Sequence, residues 1–120
     1  MDVKEKVCII TGSAQGLGKE YARVLLENGA RVCLSDLEEV TKLESETSAL
    51  KEFRETFGKE KVCYFKCDVT KEEDLVSLYD NCESYFKGKV SIFCNNAGVN
   101  YTAGWKKCME VDIVSLYFLV

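Results

Sequence analysis

The chain has 120 residues and a mass of 13.6 kDa, and 47% of it is apolar, enough for the core of one domain. Sixteen Lys and Arg against twenty Asp and Glu leave a net charge of −4, so the surface repels phosphate backbones and anionic head groups, and neither nucleic acid nor a membrane is an expected partner. No histidine occurs, which removes Ser-His-Asp and Cys-His nucleophile systems and any His-bearing zinc site, and no apolar run approaches the roughly 20 residues that span a bilayer.

In chain order, the apolar run Lys6 to Thr11 ends in Thr-Gly and predicts a strand buried on both faces. A helix is expected from about Leu17 to Asn28, with Leu17, Tyr21, Val24 and Leu25 on its apolar stripe and Asn28-Gly29 as its stop. Arg31 to Ser35 reads as a second strand. From Glu38 to Phe57 the positions Val40, Leu43, Leu50, Phe53 and Phe57 keep helical spacing, which predicts one exposed amphipathic helix closed by Gly58. Lys61 to Cys67 reads as strand three, and Thr70 with Glu73 as a capping box that opens a helix through Leu75, Leu78, Tyr79, Cys82 and Phe86. Lys89 to Asn95 is strand four, and a strongly apolar helix is expected from about Trp105 to Val120.

Strands alternating with helices at this spacing predict an α/β fold of β-α-β-α-β-α-β-α units. That is the first half of a Rossmann-type, doubly wound parallel sheet, with strand order 3-2-1-4. Residues 1–120 are then one portion of a single domain, and its ligand belongs at the carboxyl ends of the strands. The seven cysteines are scattered without CxxC or metal-ligand spacing, which fits buried, reduced thiols in a cytosolic protein.

Four places carry chemistry. Thr11-Gly12-Ser13-Ala14-Gln15-Gly16-Leu17-Gly18 sits between a buried strand and a helix. Gly12 permits the turn, Gly16 leaves backbone amides open to a pyrophosphate, and Gly18 lets the helix approach closely; the alternative is turn chemistry alone. Asp36, ending strand two, can accept hydrogen bonds from adenosine ribose hydroxyls and would repel a 2′-phosphate, or it is simply the first acid of a solvated loop. Asp68-Val69 follows strand three, where Asp68 either meets the adenine edge or caps the next helix. Asn95-Asn96-Ala97-Gly98 ends strand four, a turn signal on its own that gains specificity beside the glycine loop.

On these four motifs, in this order, the chain resembles the short-chain dehydrogenase/reductase family, and most of all the branch that oxidises 15-hydroxyprostaglandins with NAD, together with its insect alcohol-dehydrogenase-like relatives. The resemblance implies NAD as cofactor, held by Gly12, Gln15, Gly16, Leu17, Gly18, Asp36, Asp68, Val69, Asn95, Ala97 and Gly98. It implies reversible hydride transfer between a nicotinamide and a secondary alcohol or ketone, a hydroxyl-bearing lipid or small alcohol. It further implies a Tyr general acid/base, a Lys, a Ser and a relay Asn. The relay position is occupied by Asp112, either standing in for Asn or serving as a structural carboxylate.

The family's Ser and Tyr-x-x-x-Lys lie on a fifth strand and its helix, beyond these residues. Tyr85-Phe86-Lys87-Gly88-Lys89 matches that pattern only by chance, because it precedes strand four. The 120 residues by themselves are thus expected to bind a dinucleotide without enzymic turnover, and the complete protein to form a homodimer or tetramer. The alternatives are a truncated, non-catalytic dinucleotide- or partner-binding protein and, fitting the Asn-Asn-Ala-Gly run less well, a nucleotide-sugar epimerase.

Overall fold

The computed structural model describes residues 2–14, 16–37 and 48–96. Four strands, β1 (Val7–Thr11), β2 (Arg31–Asp36), β3 (Val62–Lys66) and β4 (Val90–Cys94), form one parallel sheet in the order β3-β2-β1-β4. Among the described residues three helices connect them: α1 (Gly16–Glu27), α2 (Ala49–Phe57) and α3 (Glu72–Phe86). Sequence order and expected strand order agree with this architecture. The terminal helix expected from Trp105 lies outside the described residues.

Parallel strands must be covered on both faces, and the alternation of side chains divides the core accordingly. Cys8, Ile10, Val32, Leu34, Val62 and Tyr64 face α1 and α2, packing against Ala22, Leu26, Leu50 and Phe53. Val7, Ile9, Cys33 and Cys63 face the other way, against Leu75, Leu78, Cys82 and Phe86 of α3. β1 is buried along its whole length because it has a strand on either side and helices above and below.

Three local expectations are corrected. α1 does not lie on the sheet through Leu17, Tyr21 and Val24, which are 66, 46 and 55% exposed; its buried residues are Gly18, Ala22 and Leu26. Gly18 and Ala22, small and four residues apart, bring this helix close to the strands, and of the expected stripe Leu25 packs, partly buried, against the core. The single helix expected over residues 38–57 is also replaced. α2 starts at Ala49, where Ser48 has extended backbone (φ −77°, ψ 150°) and its hydroxyl accepts the Lys51 N–H at 3.2 Å; residues 38–47 are outside the described set. Removing that cap in Ser48→Ala should cost about 1 kcal/mol, seen as a lower urea midpoint with an unchanged slope. An unchanged midpoint would mean that the cap does not hold the helix end.

The third correction concerns the entrance to α3. Thr70 and Glu73 form no capping box; the cap residue is Lys71, with no side-chain bond. Instead the Asp68 carboxylate accepts from Thr70 N–H (3.0 Å) and Thr70 Oγ1 (2.6 Å), while Asp74 reaches back to accept the Asp68 N–H at 2.9 Å. Glu72, Glu73 and Asp74 complement the positive end of this helix. No helix among the described residues is long and apolar enough to cross a membrane.

Candidate dinucleotide site

The order β3-β2-β1-β4 puts the reversal of strand order between β1 and β4, and in sheets of this kind ligands bind at the carboxyl ends of the strands at that point. The glycine loop leaves β1 there and Asn95-Asn96 leaves β4 beside it. Thr11, buried at the end of β1, joins the two. Its Oγ1 lies 3.2 Å from Asn95 Oδ1 and accepts the Asn96 N–H at 3.0 Å. Asn96 Nδ2 donates to the Gly12 carbonyl at 3.2 Å.

Gly12 and Gly16 both have left-handed φ, +65° and +64°, a region that non-glycine residues occupy only with strain. The two differ from Gly18 in what surrounds them. A Cβ on Gly16 would meet nothing within 4 Å, whereas one on Gly18 would fall 2.2 Å from the Gly12 carbonyl oxygen and 2.6 Å from Asn96 Nδ2. Gly16 therefore borders open space, and Gly18 is the contact on which the start of α1 rests against the loop and the end of β4. The first turn of α1 carries no acid, unlike that of α3, so its N–H groups and positive dipole end are not neutralised by the helix itself. Leu17, beside them, is exposed.

Asp36 is held on every side. Its Oδ2 accepts the Ala14 N–H at 3.1 Å and its Oδ1 the Leu37 N–H at 2.8 Å. Its main-chain carbonyl accepts from Tyr64 OH and from the Cys67 N–H, both at 3.0 Å. The carboxylate thus touches the glycine loop directly, and it stands half-buried at the carboxyl edge of the sheet.

Asp68 holds Thr70 in the turn that precedes α3, and the Val69 side chain is buried in the core beneath α3. Gln15, Ala97, Gly98 and Asp112 lie outside the described residues. Sequence reasoning expected the Asn95-Asn96 amides to fix backbone geometry here, but did not single out the side chains of Thr11 and Ser13, which also stitch the strand ends together. Hydroxyl and amide side chains bonding across strands leave no periodic signal, although two hydroxyls flanking a glycine at a strand end were a usable hint. Tyr85, of the Tyr85–Lys89 match, lies away from this edge. Its hydroxyl donates to the Lys59 carbonyl at the opposite, amino-terminal edge of the sheet.

Six described cysteines are free, and none of the described residues forms a group that could hold a metal ion. Cys67, next to this edge, is pushed up to about 12 by burial and then by the negative Asp74 and Asp68; burial likewise raises Cys8 to about 11. A thiol whose pKa rises on folding stabilises the fold fully below its ordinary value of 9.0 and loses that contribution as pH climbs through the folded value. Melting temperature should therefore fall between about pH 8 and about pH 10.5, with a shallower fall in Cys67→Ala. Equal slopes in the two proteins would contradict this account of Cys67.

A family model described as short chain dehydrogenase matches residues 6–120. The chain is 36% identical over 116 residues to 15-hydroxyprostaglandin dehydrogenase (NAD(+)) of Bos taurus and 34% identical over 116 residues to the Homo sapiens protein of the same name. Both alignments cover 97% of this chain and 42% of the relative, so the chain spans about two-fifths of the length of these relatives. Among solved structures, a short-chain dehydrogenase described as putative, from Novosphingobium aromaticivorans, superposes with a TM-score of 0.82 at 27% identity, over 98% of this chain and 43% of that one.

Proposed function

The chain belongs to the short-chain dehydrogenase family, and from that premise we propose that it is the dinucleotide-binding part of an NAD-dependent oxidoreductase acting on a secondary alcohol. The observation that carries the proposal is the carboxyl edge of the sheet, where the open Gly16 turn, the acid-free first turn of α1 and the Asp36 carboxylate come together.

The residues fit that cofactor. The absence of a Cβ at Gly16 leaves room for a pyrophosphate against the first-turn amides of α1, which supply donors and a positive dipole end. Asp36 accepts the adenosine ribose hydroxyls and opposes a 2′-phosphate by charge, which favours NAD over NADP. Thr11, Asn95 and Asn96 fix the β1 and β4 ends against each other, so the two ends keep their spacing. NAD, when bound, supplies the hydride acceptor.

The substrate class follows from the relatives. Proteins about 35% identical over 97% of this chain bear the name 15-hydroxyprostaglandin dehydrogenase, which supports a hydroxyl-bearing lipid, or a small secondary alcohol, oxidised to a ketone. A cytosolic setting and a homodimer or tetramer belong to the same reading, the former supported by the buried free thiols. The protein purified from its source, given NAD and either a 15-hydroxyprostaglandin or a simple secondary alcohol, should form NADH. Dinucleotide binding without NADH formation from either alcohol would replace the enzyme reading with that of a non-catalytic binding protein.

A further inference from the structure

We propose that Ser13 is a positioning residue whose buried hydroxyl locks the end of β2 to the glycine loop and thereby sets Asp36 as the discriminator between dinucleotides with and without a 2′-phosphate. The inference rests on the reading of this edge as a dinucleotide site. It adds to that reading a residue that need not touch the ligand.

The ladder between β1 and β2 ends at the Thr11–Ser35 pair, and the chain then turns away at Gly12. Ser13, with no exposed surface, returns its side chain to the strand ends. Its Oγ accepts the Ser35 N–H at 2.8 Å and donates its single proton to the Ile10 carbonyl at 2.8 Å, with the Ser35 carbonyl a weaker second acceptor at 3.3 Å. The Ser13 N–H donates to that same Ser35 carbonyl at 3.1 Å. One serine thus bonds to both strands and to the residue immediately before Asp36.

The neighbour on the other side completes the arrangement. Ala14, immediately after Ser13, donates its N–H to Asp36 Oδ2 at 3.1 Å. Two consecutive loop residues therefore hold two consecutive β2 residues, the first through a side chain and the second through the backbone. From the β3 side, Tyr64 and the Cys67 N–H grip the Asp36 carbonyl. A carboxylate selects against a phosphate only while its charge is held in place. Loosening the loop lets the side chain rotate toward water, where screening weakens the repulsion.

Alanine at position 13 removes the hydroxyl and leaves two buried main-chain groups, Ser35 N–H and the Ile10 carbonyl, without that partner. The test titrates the full chain and its Ser13→Ala and Ser13→Cys variants with NADH and with NADPH, following the fluorescence of the reduced dinucleotides. Wild type should bind NADH in preference to NADPH. Ser13→Ala should narrow that preference about fivefold or more, mainly through a relative gain in NADPH binding. Ser13→Cys, which keeps the volume and a weak acceptor, should fall between the two, and it carries the test if the alanine variant does not fold. Parallel weakening of both dinucleotides at a constant ratio would overturn the positioning role while leaving the site intact. Failure of wild type to bind either dinucleotide would overturn the proposal together with the reading beneath it.

Discussion

Gly18→Ala is expected to weaken NADH binding by tenfold or more and to lower the melting temperature by about 10 °C, consistent with overpacking that costs roughly 1–3 kcal/mol. Alanine normally improves a helix by about 1 kcal/mol relative to glycine, so the intrinsic preference runs the other way. The contact decides the sign. The new Cβ would lie 2.2 Å from the Gly12 carbonyl oxygen and 2.9 Å from its carbon, both main-chain atoms, and 2.6 Å from Asn96 Nδ2. Relief requires the start of α1 to withdraw by more than 1 Å, because ordinary contact begins near 3.4 Å. That withdrawal also strains the hydrogen bond by which Asn96 holds Gly12.

Gly16→Ala supplies the contrast. Its Cβ would meet no protein atom within 4 Å, so the penalty is that of a left-handed alanine, about 1 kcal/mol. Its effect on binding should nevertheless match that of Gly18→Ala, since the methyl would stand in the space assigned to the pyrophosphate. Calorimetry and NADH titration on the two variants separate the roles. Equal thermal losses, or undiminished binding in Gly16→Ala, would contradict them.

The second large effect is at Asp36. Asp36→Ala removes the acceptor of the Ala14 and Leu37 N–H groups and the charge at the β2 edge. NADH affinity should drop about tenfold and NADPH binding should improve, a combined change in preference of about a hundredfold, or about 2.7 kcal/mol. Asp36→Asn is the informative companion. It keeps an acceptor oxygen for the Ala14 N–H but loses the charge, so it should accept NADPH while retaining more of its NADH affinity than alanine does. If neither substitution alters the preference, the carboxylate does not face the ribose and the assignment to NAD fails.

Much of this site was legible in the sequence because its components sit at strand ends, where turn chemistry and a buried run meet. The left-handed Gly12 and Gly16, and Asp36 at the end of β2, are where the motif spacing put them. The strand order followed from reading the alternation of elements as the first half of a Rossmann-type doubly wound fold. What was missed has a common physical origin, in that local patterns were read without their tertiary partners. The α1 stripe was assigned by hydrophobicity, yet close approach to a sheet rewards Gly18 and Ala22 more than Leu17 and Tyr21. The Thr70–Glu73 box was plausible until Asp68, two residues upstream, took Thr70 for itself. Ser13 escaped notice because its partners lie on two strands, one of them 22 residues away.

The most direct test of the central claim is a nitrogen-labelled sample of the full chain titrated with NAD and followed amide by amide. The account predicts that the resonances of Gly12, Ala14, Gly16, Leu17, Gly18 and Leu37 shift together as the dinucleotide fills the carboxyl edge. Those of Glu5, Lys59 and Lys87, at the opposite edge of the sheet, should stay in place. Shifts confined to that opposite edge, or none in the glycine loop at saturating NAD, would contradict the assignment of the carboxyl edge as a dinucleotide site.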